Sequence, residues 1–156
     1  MPKIQHTTIS NTKCTPFTFL IALLNMKYQP FSPCNPEGVT MQKILIVDDN
    51  TLFRKTLREC LHSRFPSLII SEAKDGDEAL QTIPTFLPDL IFMDIQLPNG
   101  NGLELTRLIK GLYPDIKVVI LTSYDLPEYR EAAFHYKADH YAPKDLFMPL
   151  MDLILS

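Results

Sequence analysis

The chain has 156 residues, enough for one hydrophobic core and too few for two comfortable domains. Its 46% hydrophobic and 21% charged residues are ordinary globular composition, and a net charge of −3 offers no electrostatic ground for a nucleic-acid or membrane surface. Three widely spaced cysteines (Cys14, Cys34, Cys60), with no CxxC among them, argue against a disulfide framework or a zinc site, and nothing calls for an oxidising compartment.

Composition changes near residue 40. Residues 1–40 hold five of the thirteen prolines and no sustained hydrophobic period. Such a stretch buries too little surface to offset its ordering entropy, so it reads as a disordered leader, or as a misassigned start with translation beginning at Met41. Its apolar run from Phe17 to Leu24 is too short to span a bilayer. No small-residue cleavage site follows it, so it is not read as an export signal and the expected location is cytoplasmic. Three lysines against one glutamate give this segment +2, leaving −5 on residues 41–156.

From Met41 onward, short apolar runs alternate with amphipathic segments. Ile44 to Val47 is continuously apolar, as a strand covered on both faces must be. Asn50 is an N-cap for a helix on which Phe53, Leu57, Cys60 and Leu61 recur at helical spacing. Leu68 to Ile70 is a second strand. Asp75 with Glu78 three residues on starts a helix that Pro84 is expected to stop. Leu90 to Met93 is the third strand, the residues from Pro98 to Gly102 a loop, and Leu103 to Leu112 a helix. Val118 to Leu121 is the fourth strand. Asp125 and Glu128 around Pro127 open a helix to about Lys137, and a brief strand lies near His140 to Ala142. The last helix is expected to begin only at Pro149, because proline suits the first helical position. Its apolar end, Leu153 to Leu155, is then left exposed or met by a partner. His62, His135 and His140 lack metal-ligand spacing and read as surface or helix-face residues; Met148 and Met151 read as packing groups. Five β–α alternations imply a parallel sheet with helices on both faces.

Ligands of such a sheet sit at the carboxyl ends of its strands. There the sequence places Asp48 and Asp49 after the first strand, Asp94 after the third, Thr122 after the fourth and Lys144 after the fifth. Each alone has a local explanation, as a turn, a cap or a solvated charge. Together they mean something else. Two carboxylates about 5 Å apart repel by roughly 3 kcal/mol at an effective dielectric near 20, so three of them want a cation. Oxygen donors without His or Cys suit a hard cation such as Mg²⁺, held by one or two carboxylates, waters and a phosphate. Lys144 and Thr122 add a compact charge and a hydroxyl suited to phosphoryl oxygens. This is a set for phosphoryl transfer to a carboxylate.

The series IVDDN, MDIQLPNGNGLE, ILTSYD and HYAPKD, in order and each at a strand end, resembles the motifs of bacterial response-regulator receivers over about Gln42 to Leu150. The resemblance implies a flavodoxin-like doubly wound (βα)5 fold of strand order 2-1-3-4-5, with Asp94 as phosphoacceptor. It also implies Mg²⁺ bound by Asp49, Asp94 and the backbone carbonyl of Gln96, with Asp48 acting mainly through water. Thr122 and Lys144 would hold the phosphoryl oxygens, Tyr141 would be the aromatic switch residue, and Pro98 and Gly102 match the loop after the acceptor. The implied partners are a histidine kinase or histidine phosphotransfer protein, and a second copy of the chain through the last helix and edge strand. Pro143 before Lys144 and Asp145 after it depart from the commonest pattern; the Lys-Asp pair is similar to the branch with a LuxR-type helix-turn-helix output. The expectation is a stand-alone receiver, or a remnant of such a regulator, that does not bind DNA itself.

Two other classes are disfavoured by the same residues. A haloacid-dehalogenase-type phosphatase needs its two acids two positions apart after the first strand, and here they are adjacent. A flavin site wants hydroxyls and glycine amides there to cradle phosphate, where two aspartates would repel it.

Overall fold

The run at 44–47 lies at the heart of the sheet, every side chain 1% exposed or less. In the computed structural model, which describes residues 42–155, it forms β1 (Lys43–Val47), paired in parallel with β2 (Ile69–Ala73) on one side and β3 (Leu90–Met93) on the other. β4 (Lys117–Thr122) pairs with β3, and β5 (His140–Pro143) with β4. The order is β2-β1-β3-β4-β5, all parallel, as the (βα)5 resemblance implied. The proline-rich 1–40 segment, its apolar run and the Met41 start lie outside the described residues.

Alternation along each strand divides the core in two. Leu45 and Val47 pack with Ile83, Ile109 and Ile120 on one face, while Ile44 and Ile46 pack with Leu57, Leu61 and Met151 on the other. The first face is covered by α2 (Gly76–Phe86), α3 (Gly102–Leu112) and α4 (Pro127–His135), the second by α1 (Thr51–Arg64) and α5 (Phe147–Leu155).

Local chemistry sets the helix starts. The Asn50 side chain accepts from the Phe53 N–H at 3.0 Å, satisfying one of the donors that a helix start leaves free. Asp75 accepts from the Glu78 N–H at 2.8 Å, and Glu78 reaches back to the Lys74 N–H at 2.8 Å, a reciprocal cap. Asn101 caps α3 through the Leu103 N–H. A two-residue antiparallel pair, Gln96–Leu97 with Gly100–Asn101, closes the loop before it, with Asn99 in the left-handed region at φ 60°.

Four expectations are corrected. Pro84 does not stop α2; the helix continues to Phe86 and ends where Leu87 turns left-handed at φ 51°. Pro84 forfeits the hydrogen bond to the carbonyl four residues back and crowds that carbonyl with its ring, and the helix carries this in its last turn. Asp125 does not cap α4. Leu126 holds that position without a side-chain bond, and Asp125 instead takes both oxygens to Arg130; the helix closes at His135, not Lys137. α5 begins at Phe147, after a 3₁₀ turn at Lys144–Leu146, and not at Pro149. Proline there is in the first turn, whose N–H groups have no helical partner anyway. The helix gains two residues and packs on the sheet, with Leu150, Met151, Ile154 and Leu155 buried rather than exposed. Finally, His140 is no surface residue: it is 8% exposed on β5, and its Nδ1 has no hydrogen-bond partner.

Candidate functional site

Parallel pairing with one register across β1 and β3 brings their carboxyl ends side by side. The Asp48 N–H donates to the Ala73 carbonyl at 3.1 Å and the Asp94 N–H to the Val47 carbonyl at 2.9 Å, so both residues continue the ladder and leave it together. Asp48 is 2% exposed and Asp94 5%, while Asp49 faces solvent. Carboxylate oxygens of the three lie within 4.8 Å of one another.

Lys144 reaches them from the start of the turn after β5. Its Nζ stands 2.6 Å from Asp48 Oδ2 and 2.8 Å from Asp94 Oδ2, and 4.7 Å from the centre of the Phe53 ring, which covers it. The Phe53 ring in turn meets Phe147 edge-on at 5.7 Å. Pro143 before Lys144 closes an edge strand, where its missing donor costs the ladder nothing essential.

Burial raises the Asp94 carboxyl above the usual carboxylate range; the Lys144 hydrogen bond and the Gln96 backbone N–H pull against it without cancelling it. Burial works the other way on Lys144, but its bonds to Asp48 and Asp94 outweigh it and lift the ammonium above the usual lysine value. Each charge is thus stabilised by its partner. The donor set is all oxygen, and three carboxylates around one ammonium leave surplus negative charge. Asp48, Asp49 and Asp94 could hold a metal ion, and their chemistry fits a hard divalent one.

Thr122 ends β4 and is fully buried; its Oγ1 accepts from the Tyr124 N–H at 3.1 Å. The Tyr124 carbonyl stands 3.4 Å from both Thr122 Oγ1 and the Tyr141 hydroxyl, so the two side chains share one backbone group of the loop after β4. Tyr141 is 1% exposed, with the Arg130 guanidinium 4.9 Å over its ring. Burial pushes its hydroxyl up to about 12, with the nearby Asp125 charge adding to this.

Two neighbours escaped sequence reasoning: Arg54 hydrogen-bonds the Asp48 backbone carbonyl, and Phe53 covers Lys144. Both depend on which side of α1 faces the rim. Gly102, which the loop motif did single out, lets α3 approach Asp94 so closely that a Cβ would sit 1.8 Å from the Asp94 carbonyl oxygen.

Among the described residues no helix is long and apolar enough to cross a membrane. The family model for the response regulator receiver domain matches residues 44–153. The chain is 33% identical over 104 residues to the transcriptional regulatory protein DegU of Brevibacillus brevis, a match that covers 67% of this chain and 44% of that protein. The chain spans about half the length of the curated relatives it matches. Among solved structures it is similar to a LuxR-family two-component response regulator from Aurantimonas sp., at 30% identity and a TM-score of 0.62, covering 67% of this chain and 75% of that one. It is also similar to a response regulator from Burkholderia pseudomallei, solved with a phosphorylated aspartic acid and a calcium ion. That likeness has 30% identity and a TM-score of 0.65, and covers 72% of this chain and 66% of that one. With its doubly wound sheet and acidic rim, the chain belongs to the response-regulator receiver family of two-component signalling.

Proposed function

We propose that this receiver takes a phosphoryl group on Asp94, donated by a histidine kinase or a histidine phosphotransfer protein. The single observation that carries this reading is the Lys144 ammonium, which bridges buried Asp94 and buried Asp48 beside exposed Asp49. Asp49, Asp94 and the Gln96 backbone carbonyl are the Mg²⁺ ligands in this reading, with Asp48 acting through water. When bound, Mg²⁺ offsets the charge on carboxylate and phosphoryl oxygens. The chain's own residues do the rest. Asp94 supplies the attacking oxygen, Lys144 moves its hydrogen bond from carboxylate to phosphoryl oxygen, and Thr122 turns its hydroxyl to another. Drawing Thr122 inward changes the loop that it shares with Tyr141, which makes Tyr141 the switch residue. The Burkholderia pseudomallei relative, with its phosphorylated aspartic acid and cation, supports the same reading.

The protein is then a self-modifying switch that also loses its own phosphoryl group, in contrast to a turnover phosphatase. It acts in the cytoplasm, controls a partner molecule, and can meet a second copy of itself through α5 and the β5 edge. The −5 charge on residues 41–156 opposes direct phosphate-backbone contact, so this domain does not itself bind DNA.

Acetyl phosphate with Mg²⁺, followed by intact mass, tests the reading. One phosphoryl group is expected on the wild type only when Mg²⁺ is present, and none on Asp94→Asn. Equal labelling of Asp94→Asn would overturn it.

A further inference from the structure

Asp48 and Asp49 are joined by a single peptide unit, and the carbonyl of that unit lies just past the end of β1. β2 ends at Ala73, whose carbonyl takes the Asp48 N–H, and the chain then leaves for α2. The sheet therefore offers the Asp48 carbonyl no further strand partner on that side. Arg54, one turn into α1, fills the place: its Nη1 donates to the Asp48 oxygen. Its Nη2 lies 3.3 Å from Thr51 Oγ1 and its Nε 3.3 Å from Glu72 Oε2 on β2. The Arg54 side chain is 12% exposed, so this is a guanidinium held inside the structure rather than a surface charge.

The fork ties three elements to one peptide plane. A peptide is planar, so holding its oxygen sets the direction of the Asp49 N–Cα bond, from which the Asp49 side chain is presented to the site. The Asp48 side chain is held separately, its Oδ1 accepting from the Asn50 N–H at 2.8 Å. Asp49 has no such bond among the described residues; its aim depends on the backbone. The geometry points to Arg54 as a positioning residue for the metal site, acting through the Asp48–Asp49 peptide and oriented by Glu72. This inference rests on the Mg²⁺ reading above.

Arg58 provides the control. It donates to the other oxygen of Glu72 at 3.1 Å, carries the same charge on the same helix, and is half exposed. Arg58 does not touch the Asp48 carbonyl. If only nearby positive charge mattered, removing either arginine would tighten Mg²⁺ binding. A positioning role predicts the opposite sign for Arg54 alone.

The experiment is calorimetric titration of the full chain with MgCl₂ for wild type, Arg54→Gln, Arg54→Lys and Arg58→Gln, each checked for fold by circular dichroism. Outer partners of metal ligands typically contribute about 10–100-fold in affinity, and a loss in that range is expected for Arg54→Gln. Arg54→Lys keeps the charge but cannot span carbonyl, hydroxyl and carboxylate at once, so it too should bind more weakly than wild type. Arg58→Gln should bind as well as wild type or more tightly. Should Arg54→Gln fail to fold, Arg54→Lys against wild type decides alone. Affinity in the folded Arg54 variants equal to or tighter than wild type overturns the positioning role and leaves the metal reading standing. A folded wild-type chain that binds no Mg²⁺ overturns the metal reading, and this inference with it.

Discussion

The Lys144 ammonium donates to Asp94 Oδ2 at 2.8 Å across fifty positions of sequence, and both ends of the bond are nearly closed to solvent. Removing Lys144 leaves Asp94 and Asp48 facing one another with no cation between them. Lys144→Ala should lower the stability of the metal-free domain, by less than the roughly 3–5 kcal/mol of a fully enclosed pair, because Asp49 opens the rim to water. Added Mg²⁺ should recover part of the loss. Acetyl phosphate should still label Asp94 in this variant, whereas the Tyr141 resonances should no longer shift on labelling. Labelling-dependent shifts equal to wild type would show that Lys144 does not couple the two.

Three glycines should respond in three different ways. At Gly102 a Cβ would meet the Asp94 backbone at 1.8 Å, and backbone cannot step aside, so Gly102→Ala should cost at least about 2–3 kcal/mol and disturb the Asp94 environment. At Gly100 nothing lies within 4 Å, and Gly100→Ala should stay within about 0.5 kcal/mol. Gly111 is equally open but helical, so Gly111→Ala should stabilise by about 0.5 kcal/mol through lost unfolded-state freedom. Urea midpoints of the three variants check all of this at once.

Burial holds His140 below the ordinary histidine value, against the opposing pull of Asp139. The unfolded chain therefore takes up this proton first as pH falls. The stability of the folded form is complete above the ordinary value of about 6.5, and drains away as pH drops from there toward the lower folded value, at no more than about 1.4 kcal/mol per pH unit. His140→Leu should remove that part of the slope. It should cost little at pH 7.5, because it also removes a buried nitrogen without a partner. Unfolding at pH 7.5 and 5.5 for both proteins measures the difference; an unchanged slope in His140→Leu would rule His140 out as its source.

The Arg130 guanidinium lies over the Tyr141 ring while both Asp125 oxygens hold it. The ring, and not the hydroxyl, is the partner. Arg130→Ala should cost about 1 kcal/mol in wild type and in Tyr141→Phe alike, and clearly less in Tyr141→Leu. A double-mutant cycle that shows equal costs in all three backgrounds would assign the effect to Asp125.

Features set by neighbouring residues were legible from the sequence. The Asn50 and Asp75 caps are bonds within three residues, and the five strands announce themselves as short apolar runs ending in polar residues. Because parallel strands of such a sheet end on one rim, a strand-by-strand reading also places Asp48, Asp49, Asp94, Thr122 and Lys144 there. Tertiary structure decided the rest. Pro84 and Pro149 obey the local proline rule only until packing on the sheet outweighs a lost bond or makes it irrelevant. Asp125 resembles a cap in sequence, yet Arg130 offers it two bonds where the helix start offers one. His140 is 8% exposed at the start of β5, a burial that its polar character and sequence spacing do not announce. Arg54 meets the Asp48 carbonyl because α1 folds back over the end of β1, with Glu72 on the adjacent strand to aim it. Short-range bonds are written in the spacing of residues; which long side chain reaches which carbonyl is written only when the layers close on one another.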